Sequence, residues 1–336
     1  MQFRKLGNTD MTISAVGYGC MGLSHAFGTP LTTAEAVKRI DAAYDCGYRF
    51  FDTAECYTGT KPDGTTAYNE EVVGEAIKKY RDKIVLATKC GVSFGDGKMY
   101  LHSSPEDIRK AVEGSLKRLG TDYIDLYYQH RVDPKVEPEV VADTMAQLIK
   151  EGKIRSWGIS CVEEDYLRRA HAVCPVSAVQ NMYSVIDKDT ERLFGVFEEL
   201  GITLVAYTPL AKGFLSGKYI ERPTFEHPED NRSGRYQFSE EGFKVYQAAL
   251  DLIRSKAQEK NATLAQISLA WMMSKKPWIS PIPGTRTIER IKENGDASDI
   301  VLSAEEVKEI DDALNKLHLV DTAAARIKPV VYGDKK

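Results

Sequence analysis

Residues 84–129 decide how this chain folds. They hold the apolar run Ile84-Val-Leu-Ala-Thr-Lys89, the opening Ser104-Pro105-Glu106-Asp107, the periodic Ile108, Val112, Leu116 and Leu119, and a second run, Ile124-Asp-Leu-Tyr-Tyr-Gln129. Short apolar runs read as buried strands, and the i, i+4, i+8, i+11 spacing between them reads as an amphipathic helix. Ser104 is placed to cap that helix, with Pro105 at its first position and an acid three residues on. Strand, helix, strand implies a parallel pair. Working outward, the same alternation places strands at residues 14–18, 48–52, 84–89, 124–129, 154–160, 176–180, 202–207 and 278–283. Eight such units predict a closed α/β barrel, the (β/α)8 TIM barrel. Phe3-Arg-Lys-Leu6 and Met11-Thr-Ile-Ser14 read as a hairpin capping its bottom. Ser303-Ala-Glu-Glu306 repeats the capping signature near the end. We expect one barrel domain over residues 1–320 and a tail, 321–336, with no clear period. The longest irregular stretches, 22–33, 54–68, 91–104 and 211–238, all follow strand ends, where long loops are usually functional.

The chain has 336 residues, 45 Lys+Arg against 49 Asp+Glu, and a net charge of −4. No basic stripe interrupts that balance, which argues against nucleic-acid and anionic-membrane partners. The start, Met1-Gln-Phe-Arg-Lys-Leu-Gly7, has no apolar signal core, and no run of 18 apolar residues occurs, so a cytoplasmic protein is expected. Six scattered cysteines form no C-x-x-C and six histidines no H-x-x-x-H, which implies reduced thiols and no metal site.

Three familiar patterns occur in unsuitable settings. Gly17-Tyr-Gly19-Cys20-Met21-Gly22 matches a dinucleotide fingerprint, but helix signals begin only near Thr33, too late for a pyrophosphate to meet a helix N-terminus. Tyr57-Thr-Gly-Thr-Lys61 needs a helix that Gly59 and Pro62 disfavour. Gly213-Phe-Leu-Ser-Gly217-Lys218 is one residue short of a phosphate-binding loop.

Barrel chemistry sits at the C-terminal ends of strands. There the chain places Asp52, Tyr57 five residues beyond it, Lys89 and His130. Singly, each also reads as a turn cap, a solvated strand end or a rim residue. Together they suit carbonyl reduction. A phenol titrates near 10, a neighbouring ammonium lowers that value, an aspartate holds the ammonium, and a neutral imidazole orients the carbonyl. The hydride must come from a cofactor.

These residues lie in segments that resemble the aldo-keto reductases over nearly the whole chain. The segments are Tyr48-Arg-Phe-Phe-Asp52-Thr-Ala-Glu-Cys-Tyr57, Asn69-Glu-Glu-Val-Val-Gly74, Ala87-Thr-Lys89, Ser115-Leu-Lys-Arg-Leu-Gly120, Gln129-His130-Arg131, Gly152-Lys-Ile-Arg155, Ala206-Tyr207-Thr-Pro-Leu210 and Ile282-Pro-Gly-Thr-Arg286. The Gln-His-Arg form resembles the bacterial and plant branches related to potassium-channel β-subunits. The resemblance implies that Tyr57 is the general acid, Lys89 and Asp52 its tuners and His130 the substrate orienter. It implies NADPH/NADP+ as cofactor, held near Gly19, Cys20, Met21 and Asp52. Tyr207 and Thr208 would lie under the nicotinamide, with Ser160 and Gln180 on its carboxamide. Leu210, Lys212 and Gly213 would take the pyrophosphate, and Gly284, Thr285, Arg286, Arg290, Glu293 and Asn294 the adenosine phosphate. Two arginines at i and i+4 suit a 2′-phosphate and favour NADPH over NADH. Cys161 departs from the family's usual Asn or Glu, and a thiol serves an amide poorly.

The expected substrate is a small carbonyl compound, and the oligomeric state stays open. Two other readings compete. A retaining glycosidase needs a carboxylate pair, and the strand ending Val205-Ala-Tyr207 supplies none. A non-catalytic or weakly catalytic NADPH-binding regulatory subunit would retain the same four residues.

Overall fold

The computed structural model describes residues 1–227 and 230–317. The expected tail, 321–336, and the domain limit at 320 lie outside the described residues. Eight parallel strands form one sheet: β1 (Tyr18–Gly19), β2 (Phe50–Asp52), β3 (Val85–Cys90), β4 (Ile124–Gln129), β5 (Ile154–Ser160), β6 (Ala178–Met182), β7 (Thr203–Tyr207) and β8 (Ile279–Pro281). Each pairs with its sequence neighbours. The ends meet because Gly17 N donates to Pro281 O at 2.9 Å and Gly19 N to Pro283 O at 3.3 Å. Helices cover the outside, which makes this the expected α/β barrel.

The helix 105–119, α3 in order after α1 (Thr33–Asp45) and α2 (Asn69–Ile77), begins and ends as its sequence dictates. The Ser104 hydroxyl accepts from Asp107 N, Pro105 opens the first turn, and Gly120 closes the helix at φ +62°. Ser303 and Glu306 form the expected capping box.

Strand parity builds the site. Leu126 and Tyr128 point into the barrel with Phe50, Val85, Ala87, Ala178 and Val205, while Phe51, Leu86 and Tyr127 pack outward under the helices. A period of two therefore carries Asp52, Lys89, His130, Gln180 and Tyr207 onto the inner face at the C-terminal rim. Leu6 and Ile13, from the hairpin Phe3–Lys5 and Thr12–Ser14, fill the opposite end.

Two expectations need correction. Residues 14–18 are not one strand. Ser14 ends the bottom hairpin, its hydroxyl bonding Val16 O, and β1 starts only at Tyr18. The stretches 54–68 and 91–104 are not irregular either. Each folds into an antiparallel hairpin, Thr58–Thr60 with Thr66–Tyr68 and Val92–Gly95 with Lys98–Leu101. Their turns carry the left-handed glycines Gly64 and Gly97. All six cysteines are free. Among the described residues no helix is long and apolar enough to cross a membrane.

Candidate active site

The Lys89 ammonium organises the rim. Its Nζ donates to Asp52 Oδ1 at 2.5 Å, Thr53 O at 2.7 Å and Tyr57 Oη at 3.2 Å, so its three protons are all directed. Lys89 is fully buried and Asp52 2% exposed. Burial opposes the ammonium, but Asp52 and Tyr57 outweigh it and hold Lys89 above its ordinary value. The second carboxylate oxygen of Asp52 accepts from Gln180 Nε2 at 2.8 Å. Removing one partner of such a buried pair typically costs about 3–5 kcal/mol, because the other charge is left unpaired.

Tyr57 lies in the loop after β2, held by its N–H on Ala54 O and by Asn69 N on its own carbonyl. Burial pushes its hydroxyl up to about 12 in the free chain. Lys89 pulls in the expected downward direction but only partly offsets this, so the phenol stays protonated at neutral pH rather than already lowered. His130, 7% exposed, meets Tyr57 edge-on with ring centroids 5.7 Å apart. Burial, then Arg131, Lys89 and His25, hold its imidazole far below the usual value, and it stays neutral. Cys56 Sγ lies 3.4 Å from His130 Nδ1. His25 stacks on the other side of Tyr57, at 5.5 Å, and Phe94 on His25, at 6.0 Å.

The cofactor candidates are dispersed along the rim from β5 through β8 to β1. Ser160 Oγ accepts from Arg131 Nη1 at 3.1 Å, and the exposed Cys161 thiol rests 3.2 Å from Tyr207 Oη. Beyond β7, Thr208, Ala211, Lys212 and Gly213 all have positive φ (57, 47, 59 and 91°), a concentration of strained backbone. Leu210 and Lys212 are half-buried there. Gly19 and Gly284 close the β1–β8 seam. A Cβ on either would lie 2.7 Å from a carbonyl oxygen, Ile282 O or Gly19 O respectively. Cys20 is buried in the core and Met21 half-buried beside it. Tyr18 Oη donates to Thr285 O.

Arg286 and Arg290, four residues apart, do not lie on one helix. The helix holding Arg290 runs from Ile288 to Asp296, so Arg286 precedes it. Arg286 folds inward, donating from Nε to Gly22 O and from Nη1 to Thr29 O, while its Nη2 is buried with no partner among the described residues. Arg290 reaches Ser216 Oγ at 3.3 Å. Glu293 gives its carbonyl to Gln266, and Asn294 is buried. Two cations not assigned to the cofactor from sequence, Lys218 and Arg232, join this group. Lys218 is lowered by burial and then by Arg232 and Arg290, and Arg286 by burial and then by Arg232. Lys218 and Arg232 both come from the 211–238 loop, whose position after a strand end was a signal, and Lys218 also closes the near-match that begins at Gly213. Arg131, directly after His130, was equally unassigned.

This geometry has counterparts. The sequence profile described as "Aldo/keto reductase family" matches residues 15–315. "Probable aldo-keto reductase 1" of Glycine max is 38% identical over 315 residues, 92% of this chain and 88% of that protein. Among solved structures, a glycerol dehydrogenase of Gluconobacter oxydans superposes with a TM-score of 0.83 at 27% identity, covering 99% of each chain. The holo form of an aldo-keto reductase of Bacillus halodurans gives 0.75 at 28%, over 93% of this chain and 96% of that one. The rim of directed polar groups thus stands in a barrel with known relatives, and the chain belongs to the aldo/keto reductase family.

Proposed function

We propose that this protein reduces aldehydes or ketones to alcohols with NADPH, Tyr57 delivering the proton. The observation that carries this reading is the Lys89 ammonium bonded at once to Asp52 and Tyr57 Oη. When bound, NADPH supplies the hydride that no side chain carries. The substrate oxygen would lie between Tyr57 Oη and the neutral His130. His130 orients it by hydrogen bonding, and Tyr57 gives up its proton as charge develops there. The phenolate left behind is stabilised by Lys89, which Asp52 keeps charged and in place. Alcohol oxidation is the reverse of the same path.

The residues suit the cofactor. Tyr207 offers a ring face, and Ser160 and Gln180 offer polar groups for a carboxamide. The buried Nη2 of Arg286, without a partner among the described residues, and Lys218, Arg232 and Arg290 nearby suit a phosphate beyond those that NADH carries. Gly19, Cys20, Met21, Thr208, Leu210, Lys212, Gly213, Gly284, Thr285, Glu293 and Asn294 would line the remaining length.

The test follows NADPH absorbance with a panel of carbonyls in wild type and Tyr57→Phe. We expect turnover to fall by about 10²–10⁴-fold in the variant with NADPH binding retained. Unchanged turnover removes Tyr57 as donor. Tight NADPH binding without turnover in either protein points instead to a cofactor-binding regulatory subunit.

A further inference from the structure

One carboxylate beside the rim has no part in that chemistry. Glu55 stands two residues before Tyr57, and its main chain and side chain both cross to β3. Its N–H donates to Lys89 O at 3.2 Å, and its Oε1 accepts from Gly91 N at 2.8 Å. Gly91 has φ +90°, a conformation open to glycine, and the amide of Val92 also hydrogen-bonds the carboxylate. Glu55 therefore ties the segment carrying the phenol to the strand carrying the ammonium. The next two residues each continue into the site, Cys56 at His130 and Tyr57 at Lys89.

We propose that Glu55 is a positioning residue for Tyr57: seated on the Gly91 and Val92 amides, its carboxylate holds the phenol within reach of Lys89. This rests on the reading of Tyr57 as proton donor. An ionised carboxylate accepts amide hydrogen bonds about twice as strongly as a neutral group does, so the clamp is tightest when Glu55 is charged. Burial pushes its carboxyl up to about 7, opposed by the Gly91 amide, raised by Glu70, and lowered by Arg118 and the Val92 amide. Its charge in turn acts on Cys56, Cys90 and Tyr127, raising each. Glu70 itself is engaged by Thr88 at 2.6 Å and Arg118 at 2.7 Å. The clamp consequently tightens as pH rises through about 7.

The experiment compares wild type, Glu55→Gln and Glu55→Ala in three readouts: kcat and KM against pH, NADPH binding by fluorescence, and hydrogen exchange of the 53–60 and 90–95 segments. Glu55→Ala should lower kcat about 10–100-fold, the scale of an ångström misplacement. NADPH affinity should stay within about twofold, and exchange should rise in those two segments. Gln keeps an acceptor on the amides and should recover most of kcat. The wild type should lose kcat below about pH 7, and Gln should abolish that fall. Unaltered kcat and exchange in Glu55→Ala would overturn the proposal. So would parallel losses of kcat, NADPH affinity and folded protein, which mark a merely structural residue. Should exchange rise while the wild type reduces no carbonyl, the clamp stands and the reading of Tyr57 as donor fails.

Discussion

His130 shows what a side chain's surroundings do to its chemistry. Its residue type and its place after a strand suggested an imidazole at the rim. That it stays uncharged follows from burial beside Arg131, Lys89 and His25. The sign of the pH effect follows. The unfolded chain takes up a proton on this histidine near pH 6.5 and the folded chain does not, so stability is lost as pH falls below that value. We expect the urea midpoint to drop between about pH 6.5 and 5 by more in wild type than in His130→Gln. An equal drop would mean that the folded imidazole titrates normally. Asp52 and Lys89 were readable in the same way, as types at strand ends. Their three-way bond with Tyr57 was not, since it needs two strands and a loop to converge. Glu55 and Arg131 stood next to recognised residues, yet nothing in their spacing set them apart.

At the scale of elements, long apolar runs read correctly and short ones did not. β4 and β5 occupy the predicted residues: β4 is buried along its whole length and β5 everywhere except Arg155, so six or seven residues carry the strand signal. β1 is only two residues long, so pattern alone merged it with the hairpin strand before it. The two rim hairpins were missed because each strand is only three or four residues long and mostly exposed, too short for a period of two to show. The seam between β1 and β8 is a tight join, with glycine on both sides. Gly19→Ala would drive its methyl against Ile282 O, and we expect a loss of about 1–3 kcal/mol in denaturant unfolding, the usual cost of overpacking. A variant as stable as wild type would show that the seam can relax.

Over the whole molecule, the cation group joins regions far apart in sequence. Arg286 bonds the loop after β1, Arg290 bonds the loop after β7, and Arg232 packs its guanidinium 5.2 Å from the Phe27 ring. On the proposed reading this convergence selects the phosphorylated cofactor. Arg290→Ala should weaken NADPH by at least about tenfold, roughly one charge-assisted hydrogen bond, and leave NADH nearly unchanged. Equal weakening of both, measured by calorimetry, would remove Arg290 from phosphate recognition.

The sequence by itself determined the barrel, because eight apolar runs separated by capped amphipathic stretches have one economical parallel arrangement. It also determined which residue types stand at the strand ends, because a period of two carries inward parity straight to the rim. Only the tertiary structure decided the charge states there and the bonds between them. Burial and electrostatic fields are sums over neighbours from many strands, and no local pattern contains them. The position of Arg286 outside its helix, the pairing of Glu55 with the amides after β3, and the gathering of Lys218 and Arg232 all depend on where distant loops come to rest.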